Sequence, residues 1–579
     1  MNTFVAETSG TEKAPVCRGS SYPARWLEPA LILVTLALGV FNSWEGRYAM
    51  DPDGISYLDV GRAFFRHDWA SAINAWWSPL YSWSLGTFMG ITNPPARYEF
   101  PVVQIFNFAI FVLTLLAFRF FLHEVITFCD ETSAGIGQSA RSLPAWAMVL
   151  LGYSLFLWIA LEVDPLWCAT PDLAVVACVC LTAGMLLRVR RSPRPGEFLI
   201  LGLSLGLGYW TKAILFPLGF VTLAAGYWWK RRAPRWGRGI LLALAVFLAV
   251  AGPMIFLLSK QKGRLTFSDT GKLNYAWYVS PRTFWRNWQG DEAGSGVPVH
   301  PTRQLMKHPP LFEFDGPIDG TYPPWMDPSY WNEGTQWHFK FKPQMEVLAG
   351  TAASEIRLLT RSRPEMVVAV IVLGLLAGSI WLTGLRALWP LIAICAVGMG
   401  LYLPMVENDR YLGGFILALF LVLIAAARFR PENQKAAGYI AVAMFCTMML
   451  ATFDYNVRLA THHFAIPGSG PNSTVGDLAA ADQLQQMGLK PGDKVGIIMN
   501  GTTAYWAHLA KLRIVAEIMD GEHSAKEFWD APSGVQQEAF DHFAQAHAKV
   551  VVTVCPSMVS MTGEWERVGA TRYCVHRLE

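Results

Sequence analysis

Two aspartates on either side of a proline form the stretch of this sequence best suited to chemistry, Met50-Asp51-Pro52-Asp53-Gly54. It follows the first strongly apolar segment, and its proline and glycine predict a turn rather than a continued helix. Paired carboxylates there could accept a proton from an attacking hydroxyl as a general base. The alternative is a solvated turn in which an aspartate caps the next helix.

Another acid and a cation stand at the edges of other apolar segments. Asp172 lies in Thr170-Pro171-Asp172, where it either caps a helix or directs a carboxylate into a cavity beside Asp53. Lys212 separates two apolar runs. It either extends its ammonium group toward water or binds an anion, for which a lipid phosphate would serve.

A third charged stretch, Glu407-Asn408-Asp409-Arg410-Tyr411, interrupts two further apolar runs. An internal Glu–Arg pair would explain it, but an arginine held there could also bind a phosphate through two N–H groups. The histidines of the long segment after residue 260 match no metal-ligand spacing, and the nine cysteines include no CxxC pair. These histidines are His300, His308 and His338. No metal or other cofactor is therefore predicted.

The composition predicts a membrane protein. Of 579 residues, 53% are hydrophobic and 16% are charged, whereas soluble domains carry about 25% charged residues. The net charge of +3 gives no indication of a nucleic-acid partner. No signal-peptide cleavage pattern follows the polar first residues, so the first apolar helix is expected to be retained as an anchor.

Eleven apolar segments approach the length of about 20 residues that a membrane-spanning helix needs. They are 28–45, 100–122, 144–161, 172–189, 197–212, 213–229, 239–259, 365–384, 388–406, 411–428 and 437–454.

Lysine and arginine crowd the loops 188–194, 230–238 and 428–435, which fall on one side of the membrane if eleven spans are counted. That side is predicted to be the cytoplasm, with the tail 1–27 on the same side of a plasma (inner) membrane. All the charged groups described above, together with the C-terminus, then lie on the outer face.

Two long loops are predicted on this outer face within a transmembrane domain of residues 28–455. Loop 46–99 combines helical periodicity with recurring tryptophan and tyrosine, which favours a helix lying in the membrane interface. Loop 260–363 has many turn signals and little regular structure. Its aromatic content argues against disorder, and we interpret it as a lid or a wall on the acceptor side.

Residues 456–579 have the composition of a soluble, extracytoplasmic α/β domain. Four strands are predicted in it, and they alternate with helices at 503–511 and 536–548. The strands are 494–499, 513–518, 550–554 and 573–577. The domain has no phosphate-binding glycine loop, so docking or acceptor recognition is expected of it rather than catalysis.

Cys555 and Cys574 lie in the last two predicted strands of this domain. An oxidising compartment would allow a disulfide, and adjacent strands can bring two cysteines close enough for one. Buried unpaired cysteines are the alternative, since strand register is not determined by the sequence.

Several motifs resemble those of the C-type (GT-C) integral-membrane glycosyltransferases, which include the protein O-mannosyltransferases and the lipid A aminoarabinose transferase. They follow the family's order along residues 28–455. They are Asp53-Gly54-Ile55-Ser56-Tyr57, Arg62, His67-Asp68-Trp69, Thr170-Pro171-Asp172, Tyr209-Trp210-Thr211-Lys212 with Pro217, and Glu407 with Arg410-Tyr411. The segment Trp76-Trp77-Ser78-Pro79-Leu80 departs from the Glu-Lys-Pro-Pro-Leu of the aminoarabinose branch, so that branch's sugar and acceptor are not implied.

The resemblance implies a polytopic helical fold and a sugar donor linked to polyprenyl phosphate, with a lipid, glycan or protein acceptor. Asp53 would be the general base of an inverting transfer, and Asp172 would orient the acceptor or share the proton. Lys212 and Arg410 would stabilise the leaving phosphate. The other expected substrate-binding residues are Asp51, Tyr57, Arg62, Glu407 and Tyr411.

Two other classes of protein remain as alternatives. A metal-dependent, oligosaccharyltransferase-like enzyme would use Asp51, Asp53 and Asp172 as ligands of a divalent ion. A non-enzymatic lipid or polysaccharide transporter would need polar or broken helices at mid-membrane, whereas the predicted spans are largely apolar at their centres.

Overall fold

Apolar helices dominate the first 465 residues of the computed structural model. It describes residues 24–136, 140–280, 288, 290, 296–314, 316–405, 408–465, 474–519, 524–555 and 565–578. The first ten helices are α1 (Ala24–Glu45), α2 (Gly54–Phe65), α3 (Trp69–Ala72), α4 (Pro79–Thr92), α5 (Ala96–Ile136), α6 (Ala145–Trp158), α7 (Asp172–Arg191), α8 (Pro195–Thr211), α9 (Leu215–Lys230) and α10 (Trp236–Lys262). The next nine are α11 (Thr270–Tyr278), α12 (Pro323–Met326), α13 (Pro328–Trp331), α14 (Phe341–Arg357), α15 (Pro364–Ala377), α16 (Ser379–Ala387), α17 (Trp389–Gly400), α18 (Gly413–Ala426) and α19 (Pro431–Ala465).

Within the described ranges, six helices are long and apolar enough to cross a membrane, or seven if one bent pair counts as a span. The six are Trp26–Glu45, Ala96–Thr132, Ala145–Val163, Asp172–Arg191, Trp236–Lys262 and Pro431–Thr461. The predicted count of eleven is not confirmed. The helices at four other predicted spans, α8, α9, α17 and α18, have 17, 16, 12 and 14 residues. At 1.5 Å per residue, twelve residues reach about 18 Å, short of a hydrocarbon core of about 30 Å.

The span predicted at 365–384 is broken, which corrects the sequence interpretation. The chain bends by 111° between helices α15 and α16. Gly378 lies between the two helices and has φ of +59°. This left-handed backbone conformation is accessible to glycine without the steric cost that a side chain adds. The apolar composition of the segment predicts a helix on both sides of Gly378 but contains no sign of the bend.

The loop 46–99 is helical, as predicted, but its placement in the membrane interface is not confirmed. All residues of α2 from Gly54 to Gly61 are buried, including the charged Asp59. Helices α2 and α4 touch through glycine, since a Cβ at Gly86 would lie 2.1 Å from the Gly61 carbonyl oxygen. Most of helix α2 is therefore packed against other parts of the protein.

A seven-stranded sheet forms the core of the C-terminal part of the chain. Its strands are β2 (Arg303–Met306), β3 (Leu311–Glu313), β5 (Lys494–Ile498), β6 (Arg513–Ile518), β7 (Val550–Val554), β8 (Trp565–Arg567) and β9 (Tyr573–Arg577); β1 (Arg141–Ser142) pairs separately with β4 (Arg428–Phe429). The spatial order is β2-β3-β6-β5-β7-β9-β8. Strands β6, β5 and β7 are parallel, and the others pair antiparallel. Helices α20 (Val475–Gln486), α21 (Tyr505–Leu509), α22 (Ser524–Asp530) and α23 (Ser533–Gln545) accompany the sheet.

The four strands predicted in this region are present at the predicted positions. Strands β2 and β3, however, come from the loop 260–363, which the sequence predicts to have little regular structure. Strand β3 is only three residues long and pairs with β6 antiparallel, Phe312 facing Glu517. A segment this short has no readable alternation of its own, and the edge of the distant sheet supplies its hydrogen-bonding partner.

Cys555 and Cys574 are joined by a disulfide, with their Cα atoms 5.1 Å apart. Strands β7 and β9 are antiparallel neighbours, and their register places Val554 opposite Tyr573. The two cysteines adjoin this pair, so strand pairing brings them together.

Alkylation of free thiols tests the disulfide directly. In denatured, unreduced protein we expect Cys555 and Cys574 to remain unmodified, and both to react after reduction. Replacing both by serine should lower the free energy of unfolding of the domain by about 3 kcal/mol, because the bond closes a loop of moderate length. Full modification of both before reduction would contradict the bond.

Candidate active site

Charged side chains from well-separated parts of the chain meet at one end of the helical bundle. The turn after α1 supplies Asp51 and Asp53, and the first residue of α7 is Asp172. Lys212 follows the end of α8, and Arg410 lies between α17 and α18. The structure thus brings together the charged residues that the sequence places on one side of the membrane.

The guanidinium of Arg410 is the centre of this cluster. Its Nη2 lies 2.5 Å from Asp53 Oδ2, its Nε 3.3 Å from Asp172 Oδ2, and its Nη1 3.8 Å from Asp51 Oδ2. Burial alone would lower the pKa of Arg410, but the carboxylates of Asp172 and Asp53 outweigh it and raise the pKa above its ordinary value. The guanidinium therefore stays charged, and it holds three acids in one place.

Lys212 is the second cation. Its Nζ lies 2.5 Å from Asp172 Oδ1 and 3.6 Å from the centre of the Tyr411 ring. The ammonium group thus faces a carboxylate and an aromatic ring. Asp172 joins the two cations, since one of its oxygens faces Lys212 and the other faces Arg410.

Neither Asp53 nor Asp172 caps a helix with its side chain, although Asp53 occupies the position before α2. Beside its contact with Arg410, Asp53 accepts a hydrogen bond from Trp325 Nε1 at 3.3 Å. The capping alternative is therefore wrong for both residues, whose carboxylates point toward the cations instead.

Asp51 is a buried acid whose pKa is raised. Its Oδ1 accepts a hydrogen bond from the Ala169 amide at 2.7 Å. Burial, and then the neighbouring charge of Asp53, raise the pKa of Asp51 to about 7. The raised pKa thus belongs to Asp51, the less exposed acid of the turn.

Exposure distinguishes the three acids. The Asp53 side chain is 18% exposed, against 5% for Asp51 and 4% for Asp172. Of the three carboxylates that contact Arg410, Asp53 is the one that an incoming molecule reaches first.

Tyr57 lines the cluster from α2. It is buried, and its ring packs 4.8 Å from that of Trp77 and 5.1 Å from that of Tyr81, measured between centroids. Burial, and then Asp53, raise the pKa of Tyr57 well above its ordinary value. Tyr57 thus stays protonated and forms a wall of the site.

Of the predicted site residues that the structure describes, Arg62 is not brought to the cluster. Arg62, near the far end of α2, pairs with Asp59 and Glu99, each at 3.8 Å. Glu407 lies outside the described residues, so its predicted role stays a prediction.

Two residues near the cluster are missed by the sequence analysis. Asp164 is 3% exposed, and neither of its carboxylate oxygens has a hydrogen-bond partner. Burial, and then the charge of Asp172, raise its pKa well above the ordinary value. The dipeptide Asp164-Pro165 after an apolar run repeats the pattern of Asp51-Pro52 and could have been noticed. Trp325 lies in the long loop, and no sequence signal indicates its contact with Asp53.

Among the described residues, no group of three or more His, Cys, Asp or Glu is arranged to hold a metal ion. Asp51, Asp53 and Asp172 surround Arg410 instead of an open position. The donor set therefore does not fit the divalent ion of the metal-dependent alternative.

A small, mostly apolar pocket of about 30 Å³ lies between α7, α8, α9, α17 and α18. Gly208 and Leu215, on either side of Lys212 in the chain, belong to its lining, as do Leu391 and Phe415.

No protein-family model and no curated protein matches the chain. Two solved structures of ArnT from Cupriavidus metallidurans, one in the apo state and one bound to undecaprenyl phosphate, are similar to it. Each has a TM-score of 0.53 at 12% identity and covers 95% of this chain, with 97% and 98% of the ArnT chain covered. An Archaeoglobus fulgidus oligosaccharyltransferase has a TM-score of 0.48 at 12% identity, covering 91% of this chain and 69% of its own. The similarity to ArnT, a lipid A aminoarabinose transferase, shows that this chain has the GT-C fold.

Proposed function

We propose that the protein is a membrane glycosyltransferase that moves a sugar from a polyprenyl-phosphate donor to an acceptor hydroxyl, with inversion at the anomeric carbon. The observation that carries the proposal is the cluster in which Arg410 and Lys212 face Asp53 and Asp172 at one end of the apolar bundle. Two cations suit an anionic leaving group, and an accessible carboxylate suits a base.

The donor would bind through its phosphate and its hydrocarbon tail. Arg410 presents several N–H groups from a charge that does not titrate, and it can bind two phosphate oxygens at once. Lys212 adds a second charge, and the apolar residues that line the small pocket beside it would contact prenyl units. ArnT is bound to undecaprenyl phosphate in one of its structures, which supports a donor of this class.

The transfer step needs a base and a stabilised leaving group. The acceptor oxygen attacks the anomeric carbon, its proton passes to Asp53, and the bond from that carbon to the phosphate oxygen breaks. Arg410 and Lys212 stabilise the charge that develops on the departing phosphate. Asp172 orients the acceptor or shares the proton, while Asp51, Tyr57 and Tyr411 shape the site.

The contact between Asp53 and Arg410 has a role in this sequence of events. Without a substrate, Asp53 Oδ2 is occupied by Arg410 Nη2. A phosphate that takes N–H groups of Arg410 would weaken this contact and free the carboxylate for the acceptor hydroxyl. Donor binding would thus prepare the base.

We place the reaction on the outer face of the plasma (inner) membrane, with residues 1–27 cytoplasmic and 456–579 extracytoplasmic. The charge distribution of the predicted loops supports this orientation. The acceptor is a lipid, a glycan or a protein.

Mass spectrometry of surface glycans tests the proposal. Cells lacking this chain should lose one sugar residue from a surface molecule, and the wild-type chain should restore it while the Asp53→Asn variant does not. Unchanged glycans with altered export of the lipid carrier would indicate a transporter instead. Loss of transfer after chelation of divalent ions would favour the metal-dependent alternative.

Lys212→Ala is expected to raise the KM for the lipid donor about tenfold, the equivalent of about 1.4 kcal/mol of lost binding. Asp172 retains Arg410 as a partner, so the protein should still accumulate in the membrane. The measurement is the rate of transfer against donor concentration in proteoliposomes.

Lys230→Ala is the matched control, because Lys230 also ends an apolar helix and donates to a backbone carbonyl, that of Arg190, at 2.6 Å. It lies at the other end of α9 from Lys212. The KM of Lys230→Ala should equal that of the wild type. An unchanged KM in Lys212→Ala would show that Lys212 does not take part in donor binding.

A further inference from the structure

A buried histidine of the C-terminal domain lies between acids of two other helices. His508, on α21, is fully buried. Its Nε2 lies 2.8 Å from Glu99 Oε1 on α5, and its Nδ1 lies 3.3 Å from Asp59 Oδ1 on α2. Burial alone would lower the pKa of His508, but Glu99 and Asp59 outweigh it and raise the pKa to about 9. The imidazole is therefore charged at neutral pH and binds the C-terminal domain to both helices.

Helix α2 connects this contact to the proposed base. Asp53 precedes the helix, and Asp59 lies about 9 Å further along it at 1.5 Å per residue. The Asp59 carboxylate has a second partner, because its Oδ2 accepts a hydrogen bond from the Thr321 amide at 2.7 Å. A short helix fixed at Asp59 fixes the direction of the turn at its start.

The C-terminal domain makes a second contact, with Tyr322, in a crevice of its sheet. Strands β6, β5 and β7 are parallel with β5 in the middle, so the strand order reverses at β5. Crevices at the carboxyl ends of strands at such a point are where open α/β sheets bind ligands. Here Tyr322 fills the position. A Cβ at Gly501 would lie 2.4 Å from the Tyr322 ring. The Tyr322 hydroxyl donates a hydrogen bond to Glu517 Oε2 at 2.6 Å.

Tyr322 is three residues from Trp325, which contacts the catalytic turn. Trp325 Nε1 donates to Asp53 Oδ1 at 3.3 Å. The Trp325 carbonyl accepts hydrogen bonds from Ser56 Oγ at 3.0 Å and from Trp77 Nε1 at 3.1 Å. The segment held in the crevice therefore contacts Asp53 Oδ1, while Arg410 contacts Oδ2.

We propose that the C-terminal domain is a positioning element of the transfer site, in which His508 holds α2 while Gly501 and Glu517 hold the segment that carries Trp325. This inference rests on the proposed function. His508 touches no substrate and acts through Asp59 and Glu99 on the helix that starts at Asp53. The crevice of the domain is occupied by Tyr322 of the same chain.

The test is the kinetics of a His508→Gln variant of the full-length protein in proteoliposomes. We expect kcat to fall about tenfold, since a displacement of catalytic groups by 1 Å can cost about 10²-fold. The KM for the lipid donor should change less than about twofold, because Lys212 and Arg410 keep their contacts. A role in folding alone would lower the amount of folded protein and leave kcat unchanged.

Tyr573→Phe is the control. It removes a buried hydrogen bond of 2.7 Å to Asp477, within the C-terminal domain. Its kcat should match the wild type. A second readout is the double variant Glu99→Gln/His508→Gln, whose loss in kcat should be smaller than the product of the single losses, because the two residues act as a pair.

If His508→Gln does not accumulate, the triple variant Asp59→Asn/Glu99→Gln/His508→Gln removes the three buried charges together, which proteins tolerate better than an unpaired buried charge. Arg62 loses its two carboxylate partners, but its side chain is 32% exposed and can be solvated. It should fold and show the same reduced kcat. Undiminished kcat in the folded variant, with an active wild type, overturns this inference alone. Absence of sugar transfer by the wild type overturns the proposed function and this inference with it.

Discussion

Asp53→Asn is expected to reduce sugar transfer by about 10²–10⁴-fold, the usual contribution of a general base, while the protein still folds and inserts into the membrane. Asparagine keeps the shape of the side chain and its bond from Trp325 Nε1, and it loses the basic carboxylate. Arg410 retains Asp51 and Asp172 as partners, so the cluster remains compensated. Single-turnover transfer in proteoliposomes measures the effect, and donor binding measured separately should be little changed.

Asp51→Asn is the control that decides between the two acids of the turn. An asparagine oxygen can still accept the hydrogen bond from the Ala169 amide, and Asp51 is too buried to meet an acceptor. We expect a loss of no more than about tenfold, caused by rearrangement of neighbouring charges. Near-normal turnover in Asp53→Asn, together with inactivity of Asp51→Asn, would show that Asp51 is the base.

Arg410→Ala is expected to impair both transfer and stability. Without the guanidinium, three carboxylates face each other in a buried site, and loss of one member of a buried ionic group costs about 3–5 kcal/mol. Removal of a group that stabilises developing charge lowers kcat by about 10²–10³-fold. Thermal unfolding in detergent and transfer in proteoliposomes measure the two effects.

Two further variants complete this experiment. Arg410→Lys restores the charge but cannot reach three carboxylates at once, so its activity should lie between those of the wild type and Arg410→Ala. Arg458→Ala removes an exposed arginine that pairs with Asp454 at 2.9 Å, and it should change stability by about 1 kcal/mol or less. Full activity in a folded Arg410→Ala protein would exclude Arg410 from the transfer step.

The sequence by itself determined that the charged groups of the site would lie at one end of the bundle. Apolar segments force helices, because backbone polar groups in a membrane must be satisfied within the helix. The number of such segments between two charged turns then decides whether the turns share a side. The same local logic located β5, β6, β7 and β9, whose hydrophobic runs are bounded by turn residues.

Only the tertiary structure decided which of these groups contact each other. Arg410 and Asp53 are 357 residues apart, and nothing local distinguishes that pair from a pairing of Arg410 with Glu407. The position of Trp325, the burial of Asp59 beside His508, and the pairing of β3 with β6 have the same cause. Each depends on how distant elements pack, since an ion pair or a strand edge is satisfied by whatever partner the fold brings near. Residue pattern thus determined the elements, and packing decided the contacts between the charged groups of the candidate site.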